Sequence, residues 1–202
     1  MRLLRVRIPA MARTGARETY LALLRGINVG GNNIIPMARL VDSFTRLGHA
    51  NVKTLIASGN VVFQAPRTDL RKLEQTIERR LTADFAYDAT VVVKSHAELA
   101  AIIDGLPRGW QRPSAAHRHY VIFLRHGVDR AGLADELEPR AGVEVLTYCP
   151  GVLFWQAKVS ALSRSNVARL TQRKIYADVT IRNLNTTKKL AALMAATASR
   201  GE

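Results

Sequence analysis

Tyr20-Leu21-Ala22-Leu23-Leu24 is apolar at every position. Both alternate faces of a strand are then hydrophobic, which predicts a strand buried on two sides. A polar, glycine-rich stretch follows from Gly26 to Ile35, and Pro36 suits the first turn of a helix. Met37, Leu40, Val41, Phe44 and Leu47 recur at helical spacing, and Gly48 is placed to end that helix. Val52 to Ala57 and Val61 to Gln64 read as strands joined around Ser58-Gly59-Asn60, a tight turn. Thr68 or Asp69 can cap a second helix with Leu70, Leu73, Ile77 and Leu81 on one face, and Val91 to Val93 is a fourth strand. Ser95-His96-Ala97-Glu98 has the spacing of a capping box and opens one more short helix.

Leu106 to Ala116 contains proline and glycine and reads as a linker; beyond it the pattern returns. Tyr120-Val121-Ile122-Phe123-Leu124-Arg125 matches Tyr20 to Arg25, and a helix bearing Leu133 and Leu137 follows. Val143, Leu146, Val152 and Phe154 match Val52, Leu55, Val61 and Phe63, with one extra residue in the second hairpin. Leu162 to Leu170 reads as the next helix, Val179 and Ile181 match Val91 and Val93, and a final helix carries Leu190, Leu193 and Met194. The repeated order predicts an α+β fold: a tandem duplication of a ferredoxin-like β-α-β-β-α-β unit with an extra helix after each copy. The expected divisions are a disordered Arg-rich extension (1–17), a first unit (18–105), a linker (106–117) and a second unit (118–202). In this topology strands 1 and 3 are neighbours. The loop from Arg25 to Asn33 and the hairpin Ser58 to Asn60 therefore meet at one end of the first sheet.

That meeting point carries the candidate chemistry. Gly26, Gly30 and Gly31 let backbone N–H groups approach a ligand, and the helix after the loop offers its positive end to an anion. Arg25 can supply a fork of donors, while Asn28, Ser58 and Asn60 can orient a ligand by hydrogen bonds. The competing reading is structural: glycine and asparagine permit left-handed turns, and Arg25 pairs with a backbone carbonyl. Neither a P-loop nor a dinucleotide fingerprint is present. Arg182-Asn183-Leu184-Asn185-Thr186 opens the last helix, where Asn183, Asn185 or Thr186 can serve as caps.

Three motifs carry a resemblance: Tyr20 to Gly31, Ser58-Gly59-Asn60-Val61-Val62-Phe63, and Arg182 to Thr186. Together they resemble the domain-of-unknown-function 1697 family over residues 18 to 195. The resemblance implies the same element order and an Arg-rich start that is an appendage. It adds Arg182, Asn183 and Asn185 to the ligand-binding candidates. The third motif departs from the family pattern at Leu184, where an aromatic residue is usual. The resemblance implies no established activity, so whether the chain is an enzyme stays open.

Composition narrows the classes. Of 202 residues 48% are hydrophobic and 23% charged, ordinary for a globular chain. No apolar run is long enough to span a membrane, so no membrane partner is expected. A single cysteine, Cys149, fits a reducing, cytoplasmic setting; it permits no disulfide and no cysteine cluster, and no metal or cofactor is expected. His117 and His119 share a strand face without a third ligand nearby, and His126 lacks a local acid partner. The net charge of +14 is dispersed rather than gathered in a block. Three functions follow: binding of a small anionic or phosphorylated ligand at the first loop and hairpin, nucleic-acid binding, or protein interaction through homo-oligomerisation. A nucleic-acid platform needs aromatic residues on an open sheet face, whereas strand 1 is apolar on both faces and strand 3 offers Phe63 alone.

Overall fold

The apolar run Tyr20 to Leu24 lies inside the protein, in β1 (Arg17–Leu24), which has both faces covered. The computed structural model describes residues 16–31 and 33–199, so the expected extension lies outside the described residues except for Ala16 and Arg17. Arg17 belongs to β1, opposite Pro66. β1 lies between β3 (Asn60–Pro66) and β4 (Val91–Ser95), with β2 (Ala50–Thr54) beyond β3, in an antiparallel sheet of order β2-β3-β1-β4. The second antiparallel sheet has the matching order β6-β7-β5-β8, from β5 (His117–Leu124), β6 (Glu144–Cys149), β7 (Val152–Lys158) and β8 (Val179–Asn183).

The helices divide three cores. Tyr20, Ala22, Leu24, Val61 and Phe63 pack under α1 (Met37–Arg46) and α2 (Leu70–Phe85). On the other face, Leu21, Leu23, Val62 and Val92 share one core with Val121, Phe123, Val152 and Phe154 of the second sheet. α3 (His96–Asp104) and α5 (Leu184–Ala198) complete that shared core through Leu99, Ile102, Leu190 and Met194. The third core lies on the far side of the second sheet, around Ile122, Leu124, Leu153 and Trp155. Full burial of one such side chain contributes about 1.5–3 kcal/mol, against about 0.5–1.5 net for a hydrogen bond. The shared apolar core is therefore the main hold between the halves. It also covers the inner sheet faces that would otherwise serve as a nucleic-acid platform or an oligomer surface.

α5 packs on β1 and β3 of the first sheet, where Thr197 O accepts from Gln64 Nε2 (3.1 Å) and Thr197 Oγ1 from Lys53 Nζ (3.2 Å). The segment read as a linker is pinned: Leu106 and Trp110 enter the shared core, and Trp110 Nε1 donates to Gln156 Oε1 at 3.2 Å.

Three expectations are corrected. The helix expected over Leu162 to Leu170 is replaced by 3-10 turns at Val159–Arg164 and Val167–Gln172, with a third at Lys174–Asp178. The buried carboxylate of Glu144 accepts from Asn166 N (2.8 Å) and Val167 N (3.3 Å), and also from Ser165 Oγ. It thereby pins the chain in the middle of the expected helix. The helix expected around Leu133 is the single turn α4 (Leu133–Glu136). The second hairpin is offset from its expected match. Tyr20 faces Phe63 and Tyr120 faces Trp155, so Phe63 corresponds to Trp155, and Val152 stands where Asn60 does. No helix among the described residues is long and apolar enough to cross a membrane.

Candidate functional site

The first loop and hairpin do meet. Leu24 N donates to Gly59 O at 2.8 Å, and Leu55 N to Asn60 O at 3.1 Å. The Asn28 side chain ties them: Oδ1 accepts from Ile35 N (2.8 Å), while Nδ2 donates to Ile35 O (3.1 Å) and Ala57 O (2.9 Å). Asn28 has φ 54°, a left-handed conformation that asparagine tolerates. Gly26, Gly30 and Gly31 are exposed with positive φ. Gly59 is different in kind: at φ +72° a Cβ would lie 2.7 Å from Leu24 Cβ, so the turn needs a residue without one.

Arg182 comes from β8 to this same place. Its Nε donates to Asn60 Oδ1 (2.6 Å), Nη2 to Leu24 O (2.8 Å) and Ser58 O (3.0 Å), and Nη1 to Thr180 Oγ1 (2.8 Å) and Ile181 O (2.9 Å). All five guanidinium N–H groups are taken, and burial pushes its pKa down to about 10. Asn60 is fully buried and gives both amide hydrogens to Leu55 O and Ser58 Oγ, each at 2.9 Å. Arg25 reaches the other half, donating to Tyr176 O with its guanidinium carbon 4.9 Å from the Tyr176 ring centre. The polar side chains expected to orient a ligand are therefore engaged in joining loop, hairpin and second half.

Asn183 and Asn185 serve a second place. Asn183 caps α5, accepting from Thr186 N at 2.8 Å. With Ser114, His117, Arg118 and His119 these two asparagines line an open cleft of about 350 Å³. Leu184 and Asn185 are the first helical residues, whose N–H groups have no partner within the helix. The first turn of α5 contains no acidic residue. His117 Nδ1 is enclosed without a hydrogen-bond partner among the described residues. Burial and then the neighbouring His117 hold His119 below its ordinary range. Lys188 lies over the same region, held by Trp110 O (3.2 Å).

A corresponding cleft of about 530 Å³ opens at the start of α3, lined by Arg17, Glu18, Thr19, Ser95, His96 and Ala97. There the helix start holds its own anion: Glu98 Oε2 accepts from Ser95 N (2.7 Å) and Ser95 Oγ (2.9 Å). Thr186 stands in the place of Glu98 at α5.

His126 and Arg125 find carboxylate partners in the first half. His126 lies 3.2 Å from Glu98 Oε1 and 3.7 Å from Glu74 Oε1, carboxylates from the first half that local sequence did not reveal. Arg125 pairs with Glu78 at 3.0 Å. The Cys149 thiol is pushed up by burial and by Asp129, the reverse of what a nucleophilic cysteine requires.

Two four-stranded antiparallel sheets packed through a common core, with helices on both sides, define an α+β protein. The chain belongs to the DUF1697 family of proteins of unknown function, whose model matches residues 17–154. That match contains the first two motifs and ends before Arg182 to Thr186. Among solved structures the chain is similar to the conserved bacterial protein SP0830 from Streptococcus pneumoniae, at 28% identity and a TM-score of 0.78, covering 89% of this chain and 99% of that one. No curated protein matches the chain.

Proposed function

We propose that this protein binds a small anionic or phosphorylated ligand, and that the ligand sits in the cleft at the start of α5. The first loop and hairpin have the right residue types, but their side chains are committed to one another. One observation carries the reading: the helix start that holds Glu98 in one half holds no acid in the other. It opens instead into a cleft with His117, Arg118 and His119. Free N–H groups at a helix start attract an anion, and Arg118 adds a charged donor. Asn183 and Asn185 would frame the ligand, and His117 Nδ1 gains a partner.

Two wider readings accompany it. The shared strand order supports two copies of a ferredoxin-like unit, the second having lost its longer helix to the 3-10 turns. The single cysteine fits a cytoplasmic setting.

Calorimetric titration of the full chain with inorganic phosphate and phosphorylated metabolites tests the ligand. Binding that Arg118→Glu abolishes, with the fold intact, supports the cleft. Binding that survives Arg118→Glu but is lost in Arg25→Ala returns the site to the first loop. A ligand at a hundredfold its Kd also raises stability by about 2.7 kcal/mol, readable as a melting shift.

A further inference from the structure

Ala16, the first described residue, lines the cleft at the start of α3 together with His96 and Ala198. His96 is the first residue of α3 and Ala198 the last of α5, so the chain enters β1 where these two helix ends meet. An apolar groove of about 200 Å³ begins at the same point and runs on between the helices, with His96 common to both hollows. Leu99, Ile103, Ala191 and Ala195 line it. Asp104, exposed, stands at its far end, and no lysine or arginine among the described residues lines it. Apolar walls in water favour an apolar occupant, and the lone acid favours a basic end on it.

Residues 1–15 precede this point and lie outside the described residues. Taken backward from Ala16, their sequence follows the surface in order. Gly15, Thr14 and Arg13 come first, beside a polar cleft that contains Glu18, Thr19 and Ser95. Met11, Ala10, Pro9 and Ile8 come next, an unbroken apolar run of the kind the groove takes. Arg7 and Arg5 follow, where the groove ends at Asp104. The lengths agree as well. The nine residues of α3 make a helix about 13 Å long, and Ile8 to Met11 extended covers about 13 Å, starting within about 17 Å of Ala16. Pro9 brings no N–H to leave unpaired against apolar walls. A second copy of the chain is a poor occupant: both copies carry +14, and a stable interface covers about 800 Å² on each partner, far more than this groove offers.

We propose that the groove between α3 and α5 is the seat of the chain's own segment from Arg5 to Met11. Ile8 and Met11 fill its apolar middle, and Arg7 reaches Asp104. The Arg-rich start, expected to be an appendage, then straps the two helices that complete the shared core.

The test is limited trypsin digestion of the full chain, with cleavage after Arg5 followed by mass spectrometry. The wild type is expected to be cleaved slowly there. Ala195→Glu sets a charge in the groove, and Ile8→Ser/Met11→Ser alters no described residue; each is expected to speed cleavage by about tenfold or more. Ala196→Glu, exposed on the same helix but outside the groove, is expected to be cleaved as wild type. Circular dichroism checks folding, and the Ile8→Ser/Met11→Ser variant decides the matter should Ala195→Glu not fold. Wild-type cleavage as fast as that of Ile8→Ser/Met11→Ser overturns the proposal. So does a folded Ala195→Glu cleaved at the wild-type rate, or Ala196→Glu cleaved as fast as Ala195→Glu.

Discussion

Lys94 and Arg182 occupy corresponding places in β4 and β8, opposite Leu21 and Val121, and each donates to the strand-ending carbonyl of the other half. Lys94 Nζ bonds Leu124 O at 3.0 Å; Arg182 Nη2 bonds Leu24 O at 2.8 Å. Burial holds Lys94 below its ordinary range, while Glu98, Asp129 and Glu74 nearby favour its charge. Arg182 has neutral oxygens alone.

The two cations should therefore differ on removal. Arg182→Met strands Asn60 Oδ1 and the carbonyls of Leu24 and Ser58, and should destabilise the chain by about 3–5 kcal/mol. Lys94→Met strands a single carbonyl, for about 1–3 kcal/mol. Urea unfolding of the two variants beside wild type measures the difference; equal losses would mean that the hydrogen bonds of Arg182 contribute little.

Stability should peak near pH 6.5. The carboxylates of Glu74 and then Glu98 push His126 up to about 9, so its contribution is complete below 6.5 and is lost as pH rises through 9. Burial, then Arg17, pushes His49 down to about 4, so the unfolded chain takes up a proton first, and stability is lost as pH falls from 6.5 toward 4. His126→Gln should flatten the alkaline limb, worth about 1–2 kcal/mol after solvent screening. His49→Phe should flatten the acid limb while keeping the stack on Phe63. Urea midpoints across pH read both limbs.

Two glycines separate packing from conformation. Gly59→Ala drives a Cβ into Leu24 and Ile27 at positive φ, and should cost about 2–4 kcal/mol. Gly31→Ala meets open space at φ +79°, so only the conformational penalty of about 1 kcal/mol applies. Thermal unfolding ranks them.

Asn185→Asp places a carboxylate in the first turn of α5. It should stabilise the ligand-free protein by about 0.3–1 kcal/mol through the helix dipole. The same charge should weaken phosphate binding in calorimetry. A variant that gains stability and binds phosphate unchanged would move the ligand elsewhere.

Strand order, the two apolar faces of β1 and the Ser95–Glu98 capping box were legible in the sequence because each is a local pattern. The meeting of loop and hairpin followed from topology. The 3-10 region was not legible, because Glu144 captures Ser165 and Asn166 from about twenty residues away. The hairpin offset escaped because β3 and β7 are buried on both faces, and alternation then gives no register. Arg182 read as a ligand residue because its partners Leu24 and Asn60 lie more than a hundred residues off. The cleft at α5 had a faint signal: Ser95 is followed three residues on by Glu98, whereas Asn183 is followed by Thr186.

α5 rests on β1 and β3, strands at the opposite end of the chain. During synthesis it emerges after every other described element. Until then Leu21, Leu23 and Val62 have only α3 from that side, and the nascent first sheet presents part of its apolar surface to its surroundings. Translation speed and chaperone supply, more than the equilibrium strength of the finished fold, should then set how much of this protein a cell recovers.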